Sequence, residues 1–301
     1  MQISFTQKII GVTIVGVLTM VGIVLFIFFP AESVPTTIPV TQEDVVATST
    51  SLAQKPAFEI IGKSVLDRPI HAYTFGTGET RLLFVGGIHG GYEWNSVLLS
   101  YQFIDYLEAH PEAVPSNLRV TVIPSANPDG LYDVVGVEGR FALTDIPKGT
   151  LSGVGRFNAH NVDLNRNFDC KWKSESMWRG NVVSAGTAPF SEPETRAIRD
   201  YVLGYRPVAV IFWHSQSNAV YASECEEGIL PETFSLMNSY SRASGYSAID
   251  SFSAYEITGD AEGWLASINI PAVTVELSTH EKTEWDQNLA GVAALFTLYG
   301  K

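Results

Sequence analysis

Two patterns of hydrophobic and polar positions recur along the chain after residue 56. Segments 59–65 (EIIGKSV) and 68–75 (RPIHAYTF) alternate between apolar and polar residues, which predicts the two strands of a hairpin. Four mostly apolar runs predict buried strands, because a strand covered on both faces has no polar side. These runs are residues 81–85, 118–124, 208–213 and 271–275.

Segments with a helical spacing of apolar residues separate these strands. The predicted helices are residues 93–107, 191–203 and 285–298. Ser191 is the candidate N-cap of the second helix, with Glu194 at the capping-box position, and NPDG at 127–130 predicts a turn. Strands that alternate with helices indicate an α/β fold with a mixed, mostly parallel central sheet and helices on both faces.

The N-terminal end has a different pattern. Every residue from Ile9 to Phe29 is apolar, Gly or Thr, enough for about 30 Å of helix, which predicts a membrane anchor over residues 1–30 in contact with the lipid bilayer. Lys8 precedes the span and Glu32 follows it, so we expect a single-pass protein with the rest of the chain outside the cytoplasm. The alternative is a signal peptide that is cleaved to release a secreted protein.

The remaining chain divides into a tether and one large domain. Residues 31–56 are rich in Thr, Ser, Val, Pro and Ala without an apolar period, which predicts a flexible linker. Residues 57–301 then form one large predicted domain, and a hydrophobic content of 46% is enough for a substantial core. A net charge of -13 argues against nucleic acid as a partner. Cys170 and Cys225 are the two cysteines, and a disulfide between them is plausible.

Three ionisable residues lie at the carboxyl ends of predicted strands, where ligands gather in α/β folds: His89, His214 and Glu276. Zinc accepts histidine nitrogen and carboxylate oxygen, and a catalytic site supplies three protein ligands and leaves a position for water. His89, Glu93 and His214 would make such a set. The pair His89 and Glu93 alone is weak support, because a His and a Glu four residues apart occur often by chance.

Six motifs that occur in order along the chain strengthen the prediction of a zinc site. They are GGIHGGYEW at 86–94, NPDG at 127–130, RFNAHNVDLNRNF at 156–168, PFSEPET at 189–195, WHSQS at 213–217 and TVEL at 274–277. With them the chain resembles the zinc carboxypeptidases of the carboxypeptidase A type, in a bacterial and membrane-anchored branch. The resemblance covers the chain from about Phe58 to the C-terminus and implies one zinc ion per chain, held by His89, Glu93 and His214.

One departure from the family concerns the first two ligands. The family usually spaces them as H-x-x-E, whereas three residues separate His89 from Glu93. We expect the extra residue to be accommodated in the Gly90-Gly91 segment, because glycine tolerates unusual backbone angles.

The resemblance also implies roles around the metal. Asp163 would accept a hydrogen bond from a ligand histidine and fix its orientation. Glu276 would act as general base, and Arg156 would stabilise the developing oxyanion; Arg140, which has a similar Gly-Arg-Phe context, is the alternative for that role.

Further roles concern the substrate. Asn165 and Arg166 would bind its terminal carboxylate, and Tyr255 would close over it. Asp260 and Glu262 lie near the positions of the family's side-chain pocket, where an acid goes with basic C-terminal residues.

The function that follows is a carboxypeptidase that hydrolyses the C-terminal peptide bond of peptides outside the cytoplasm, with a preference for basic C-terminal residues. Two alternatives stay open on the sequence. One is a hydrolase of the same family that cleaves the bond to a diamino acid in cell-wall peptides. The other is a non-catalytic module that binds C-terminal peptides, against which the presence of both Glu276 and the zinc ligands argues.

Overall fold

A computed structural model describes residues 56–149 and 153–301 of the protein. The predicted span Ile9–Phe29 lies outside the described residues, as does the predicted linker apart from Pro56. No helix within the described ranges is long and apolar enough to cross a membrane.

The described chain alternates between strands and helices. The strands are β1 (Ala57–Lys63), β2 (Pro69–Phe75), β3 (Thr80–Val85), β4 (Leu118–Ile123), β5 (Glu175–Trp178), β6 (Asn181–Ser184), β7 (Ala209–Ser215), β8 (Ala219–Ala222), β9 (Glu224–Cys225), β10 (Gly228–Ile229), β11 (Ser247–Ile249) and β12 (Ala272–Leu277). The helices are α1 (Trp94–Ala109), α2 (Pro128–Val135), α3 (Pro193–Tyr205), α4 (Pro231–Ser244), α5 (Ala261–Ser267) and α6 (Trp285–Tyr299).

A mixed eight-stranded sheet forms the centre of the fold. Its strand order is β1-β2-β4-β3-β7-β12-β8-β11. The four strands β4, β3, β7 and β12 run parallel to one another, whereas β1 and β2 form the predicted antiparallel hairpin at one edge. Both the hairpin and the four buried strands predicted from the sequence are confirmed. The parallel centre brings the carboxyl ends of β3, β7 and β12 to one edge of the sheet.

Each central strand is buried on both faces, which explains why it is mostly apolar. Along β3, Leu82 and Phe84 join a core that contains α1, α2, α4 and α6, whereas Leu83 and Val85 join a core with α3 and α5 on the opposite face. Successive side chains of a strand point to opposite faces, so each core receives every second residue. The predicted helix-covered α/β sheet is thus present.

Two details of the helix starts differ from the prediction. NPDG is not an isolated turn but the first turn of α2, because the Asn127 side chain accepts from the Gly130 amide at 2.9 Å and Pro128 occupies the first helical position. Helix α3 begins at Pro193 after Glu192, so Ser191 is not its N-cap. The Ser191 hydroxyl instead donates to the Glu192 carboxylate at 2.8 Å.

A disulfide joins Cys170 to Cys225, as the sequence suggested, with their Cα atoms 6.0 Å apart. It connects the segment that follows the 156–168 motif to β9, and both cysteines are buried in the core that contains α5. The bond closes a loop across 55 positions of the sequence. Such a closure restricts the unfolded chain and so favours the folded state.

Replacing both cysteines with serine should lower the free energy of unfolding by about 2–4 kcal/mol, the usual contribution of a loop closure of this order. Urea titrations of the parent and of the double variant, each with and without a reductant, measure the difference. The reductant should shift the midpoint of the parent and leave that of the double variant unchanged. A parent midpoint that ignores the reductant would contradict the assignment.

Candidate active site

Strand register places His214 and Glu276 side by side. The two residues are direct partners on the parallel strands β7 and β12, so their side chains point to the same face of the sheet. Phe212, two residues before His214, lies in the core with α3 and α5, so this is the face that these helices cover. His89 reaches the same edge from the loop after β3. The convergence predicted for these three residues is therefore present.

A short 3₁₀ turn over Gly90–Glu93 connects the two ligand candidates of the first motif. Gly90 has φ +48°, and a Cβ atom there would lie 2.5 Å from the carbonyl oxygen of Gly155. The turn therefore needs glycine both for its backbone angle and for its contact with a neighbouring segment. This geometry accommodates the extra residue between His89 and Glu93.

The three ligand candidates meet in a buried cluster. The Nδ1 atom of His89 lies 2.8 Å from one carboxylate oxygen of Glu93, and the Nδ1 atom of His214 lies 3.1 Å from the other. One ligand atom from each residue falls within 4.8 Å of the other two. Glu93 Oε2 is buried, and even its contact with His214 is not a hydrogen bond. Within the described part of the chain this oxygen thus has no hydrogen-bond partner, as expected for an atom that ligates a cation. Two nitrogens and a carboxylate fit a catalytic zinc site.

The charges of this cluster depend on one another. Burial disfavours an ionised Glu93, but the charges of His89 and His214 hold the pKa of its carboxyl well below the usual range. Burial likewise works against a charged His214, but Glu93 and Glu262 raise the pKa of that imidazole well above its usual value. The cluster thus stabilises positive charge at its centre, which a bound divalent cation would supply.

Asp163 is fully buried and connects two elements of the site. Its Oδ1 atom lies 3.4 Å from His89 Nε2, and its Oδ2 atom accepts from Arg156 Nε at 3.0 Å and lies 2.8 Å from Arg156 Nη2. Burial works to raise the pKa of Asp163, but Arg156 and His89 together hold it well below the usual range. Asp163 therefore remains ionised, and it lies in contact with both His89 and Arg156.

Arg156, rather than Arg140, is the arginine of the site. Its Nη1 atom lies 3.9 Å from Glu93, and its guanidinium stacks on the Trp178 ring at 4.5 Å. Arg140 instead pairs with Asp105 at 2.7 Å, away from the cluster. The alternative raised from the Gly-Arg-Phe context is wrong, because Arg140 pairs with Asp105 whereas Arg156 lies beside Glu93 and Asp163.

Glu276 faces the same space with one buried oxygen that makes no hydrogen bond to the described residues. Burial, reinforced by the negative charge of Glu93, raises the pKa of Glu276 to about 8. A divalent cation beside Glu93 would oppose this rise, because it offsets the charge that repels the ionised form. Glu276 is thus placed to accept and release a proton.

A cavity of about 450 Å³ opens from this cluster and is lined by the predicted substrate residues. Asn165 accepts from the Ala261 amide at 2.8 Å through its oxygen, so its amide NH₂ is left for a ligand. The guanidinium of Arg166 donates to the backbone oxygens of Asn165 and Met177 and keeps a buried Nε without a hydrogen bond to the described residues. Tyr255, packed 4.8 Å from Phe252, lines the same cavity.

Asp260 and Glu262 also line this cavity, at the start of α5. Asp260 caps the helix, where its carboxylate accepts from the Gly263 amide at 2.7 Å. Burial, together with the charge of Glu262, raises the pKa of Asp260 to about 6. Glu262 is 3% exposed and lies 3.3 Å from His214 Nε2. Both acids therefore line the cavity, and Glu262 also contacts the ligand candidate His214.

Two residues of the site were not identified from the sequence. Thr274 lies two positions before Glu276 on β12, so it points to the same face, and the period-2 rule applied to that strand would have found it. Trp178 comes from the β5–β6 hairpin, whose strands of four residues are too short to leave a clear alternating pattern.

Comparisons with known proteins agree with this geometry. The sequence profile described as zinc carboxypeptidase matches residues 47–289. The gamma-D-glutamyl-L-diamino acid endopeptidase 1 of Lysinibacillus sphaericus is 26% identical over 241 residues, which cover 73% of this chain and 60% of the endopeptidase. Murein peptide amidase A of Escherichia coli K12 is 27% identical over 243 residues, which cover 76% of this chain and 86% of the amidase.

A solved structure shows the same fold. The crystal structure of the murein-tripeptide amidase from Escherichia coli O157 matches with a TM-score of 0.56 and 25% identity, over 80% of this chain and 92% of the amidase. The profile match described above covers most of the chain and extends beyond Glu276, so it contains every predicted ligand and catalytic residue. The chain therefore belongs to the zinc carboxypeptidase family.

Proposed function

We propose that this protein hydrolyses the peptide bond before a C-terminal residue that carries a free carboxylate and a side-chain amine, with the diamino acid of cell-wall peptides as its substrate. One observation carries the proposal: a single cavity is lined by the polar pair Asn165 and Arg166 together with the acids Asp260 and Glu262. The names of the two bacterial relatives support the cell-wall substrate, because one cleaves at a diamino acid and the other acts on murein peptide.

The charges of the cavity favour this substrate over an apolar one. Arg166 and the free amide of Asn165 match a carboxylate, and a planar guanidinium binds two oxygens at once. Asp260 and Glu262 have no arginine or lysine within salt-bridge distance among the described residues. An ammonium group on the substrate would supply a cation beside Asp260, and its charge would return Asp260 to the ionised form.

The residues around the metal cluster support hydrolysis. Zinc held by His89, Glu93 and His214 would polarise the scissile carbonyl and acidify water. Glu276 then accepts a proton from the attacking water and passes it to the leaving amine. The guanidinium of Arg156, fixed by Asp163, faces the same space and stabilises negative charge that develops on the carbonyl oxygen.

Ordinary peptides that end in Lys or Arg are the second candidate substrate, because the same pair of acids would accept their side chains.

The location of the catalytic domain outside the cytoplasm belongs to the proposal as well. It rests on the apolar run from Ile9 to Phe29 and would bring the catalytic domain to the cell-wall side of the membrane.

Three peptides would test the substrate: one with a gamma-D-glutamyl bond to a C-terminal diamino acid, one that ends in Lys through an ordinary bond, and the latter with Phe in place of Lys. We expect kcat/KM to fall in that order, with Lys preferred to Phe by about tenfold or more because only Lys pairs with the buried acids. Equal values for Lys and Phe would contradict the acidic pocket. A preference for the ordinary Lys peptide over the diamino acid peptide would contradict the cell-wall assignment.

Glu276→Gln should lower kcat by about 10²–10⁴-fold and leave zinc content unchanged, because the amide has nearly the same shape but accepts no proton. Steady-state rates and metal analysis of the purified variant measure both effects. Glu281→Gln, the same change at an exposed position five residues later, is the matched control and should retain parent activity. Parent-like turnover in Glu276→Gln would rule out the general-base role.

Asp163→Asn should weaken zinc binding by about 10–100-fold, because it removes the carboxylate that orients His89. Competition with a coloured chelator gives the dissociation constant. Asp169→Asn changes an exposed acid in the same segment and should leave that constant at the parent value. An unchanged zinc affinity in Asp163→Asn would show that the contact with His89 does not orient a ligand.

A further inference from the structure

A second buried carboxylate faces the other histidine ligand. Glu262 Oε1 lies 3.3 Å from His214 Nε2, and the two side chains are 3% and 2% exposed. The contact resembles that of Asp163 with His89, where the corresponding distance is 3.4 Å. Each histidine therefore directs Nδ1 toward Glu93 and Nε2 toward its own buried acid.

This arrangement determines which ring nitrogen is available to a metal. A neutral imidazole carries its proton on one nitrogen, and a carboxylate beside Nε2 holds the proton there. The lone pair is then on Nδ1, the atom that lies 3.1 Å from Glu93 in His214. Without an acceptor beside Nε2, either tautomer and a rotated ring become accessible to His214, and binding must then select one arrangement.

The position of Glu262 is itself fixed from two sides. The residue lies in the first turn of α5, whose cap Asp260 accepts from the Gly263 amide. Its Oε1 atom accepts from the Thr274 hydroxyl at 2.9 Å. Thr274 lies on β12, the strand that carries Glu276 and pairs with the strand of His214. The carboxylate is thus held against His214 by the strand beside that ligand.

We propose that Glu262 is a positioning residue for His214, which it orients for zinc through Nε2, and that Asp260 is the acid that meets the substrate's amine. Asp260 contacts neither histidine, and the only side-chain hydrogen bond it makes among the described residues is to the Gly263 amide. The assignment of the amine to Asp260 rests on the proposed function. The assignment of Glu262 to His214 does not, because it concerns metal binding without substrate.

The test compares Glu262→Gln with Asp260→Asn, which removes the charge of the neighbouring acid at the same cavity. We expect Glu262→Gln to raise the zinc dissociation constant by about 10–100-fold, and Asp260→Asn to leave it within about twofold of the parent value. Chelator competition gives the constants, and the visible spectrum of the cobalt-substituted protein reports ligand geometry. That spectrum should change in Glu262→Gln alone. Parent-like zinc affinity and an unchanged spectrum in Glu262→Gln would overturn the positioning role.

Thr274→Val provides a second variant if Glu262→Gln fails to fold. It keeps the carboxylate but removes the hydroxyl that holds it, so zinc binding should weaken in the same direction by a smaller factor. Parent-like affinity in Thr274→Val, when Glu262→Gln does not fold, would overturn the proposal.

Substrate selectivity separately tests whether Asp260 is the acid that meets the substrate's amine. The ratio of kcat/KM for peptides ending in Lys and in Phe should fall by about tenfold or more in Asp260→Asn. An unchanged ratio would overturn the assignment of the amine to Asp260. The zinc constants would still decide the role of Glu262, so a failure of the proposed substrate and a failure of the positioning role give different results.

Discussion

The site depends on the burial of several carboxylates next to groups that keep them charged. Asp163 is the centre of this arrangement, because one of its oxygens faces His89 and the other is held by Arg156. An ionised carboxylate without such partners would be costly to bury. The pairing therefore fixes the ligand candidate His89 and the arginine Arg156 relative to each other, and the 156–168 motif contributes both the acid and the arginine.

The sheet supplies the other half of the geometry. His214 and Glu276 are register partners on adjacent parallel strands, so their separation is set by backbone hydrogen bonds and not by flexible loops. The hydrogen bond from Thr274 on β12 to Glu262 connects this pair of strands to α5. A site built on rigid strands keeps its groups in place before substrate binds, which is what charge stabilisation in the transition state requires.

Much of this could be predicted from the sequence, because each correct prediction rested on a local signal. Mostly apolar runs identified the central strands, and ordered motifs identified His89, His214 and Glu276. The errors arose where two local signals competed: Pro193 determined the start of α3 instead of Ser191, and Asn127 with Pro128 began a helix where a turn was expected.

The sequence did not reveal which side chains from different helices and strands contact one another. The family resemblance placed Glu262 near the side-chain pocket, but only the packing of α5 on β12 brings it to His214.

The glycine turn between His89 and Glu93 limits which substitutions this part of the chain can accept during evolution. Gly90, Gly130 and Gly155 come from three separate segments whose backbones touch, and a methyl group on any one of them would overlap the backbone of another. A change of side chain at one position therefore requires the other two segments to move. Among related chains, we therefore expect these three glycines to change together. The number of residues between His89 and Glu93 should change with them, as one coevolving unit.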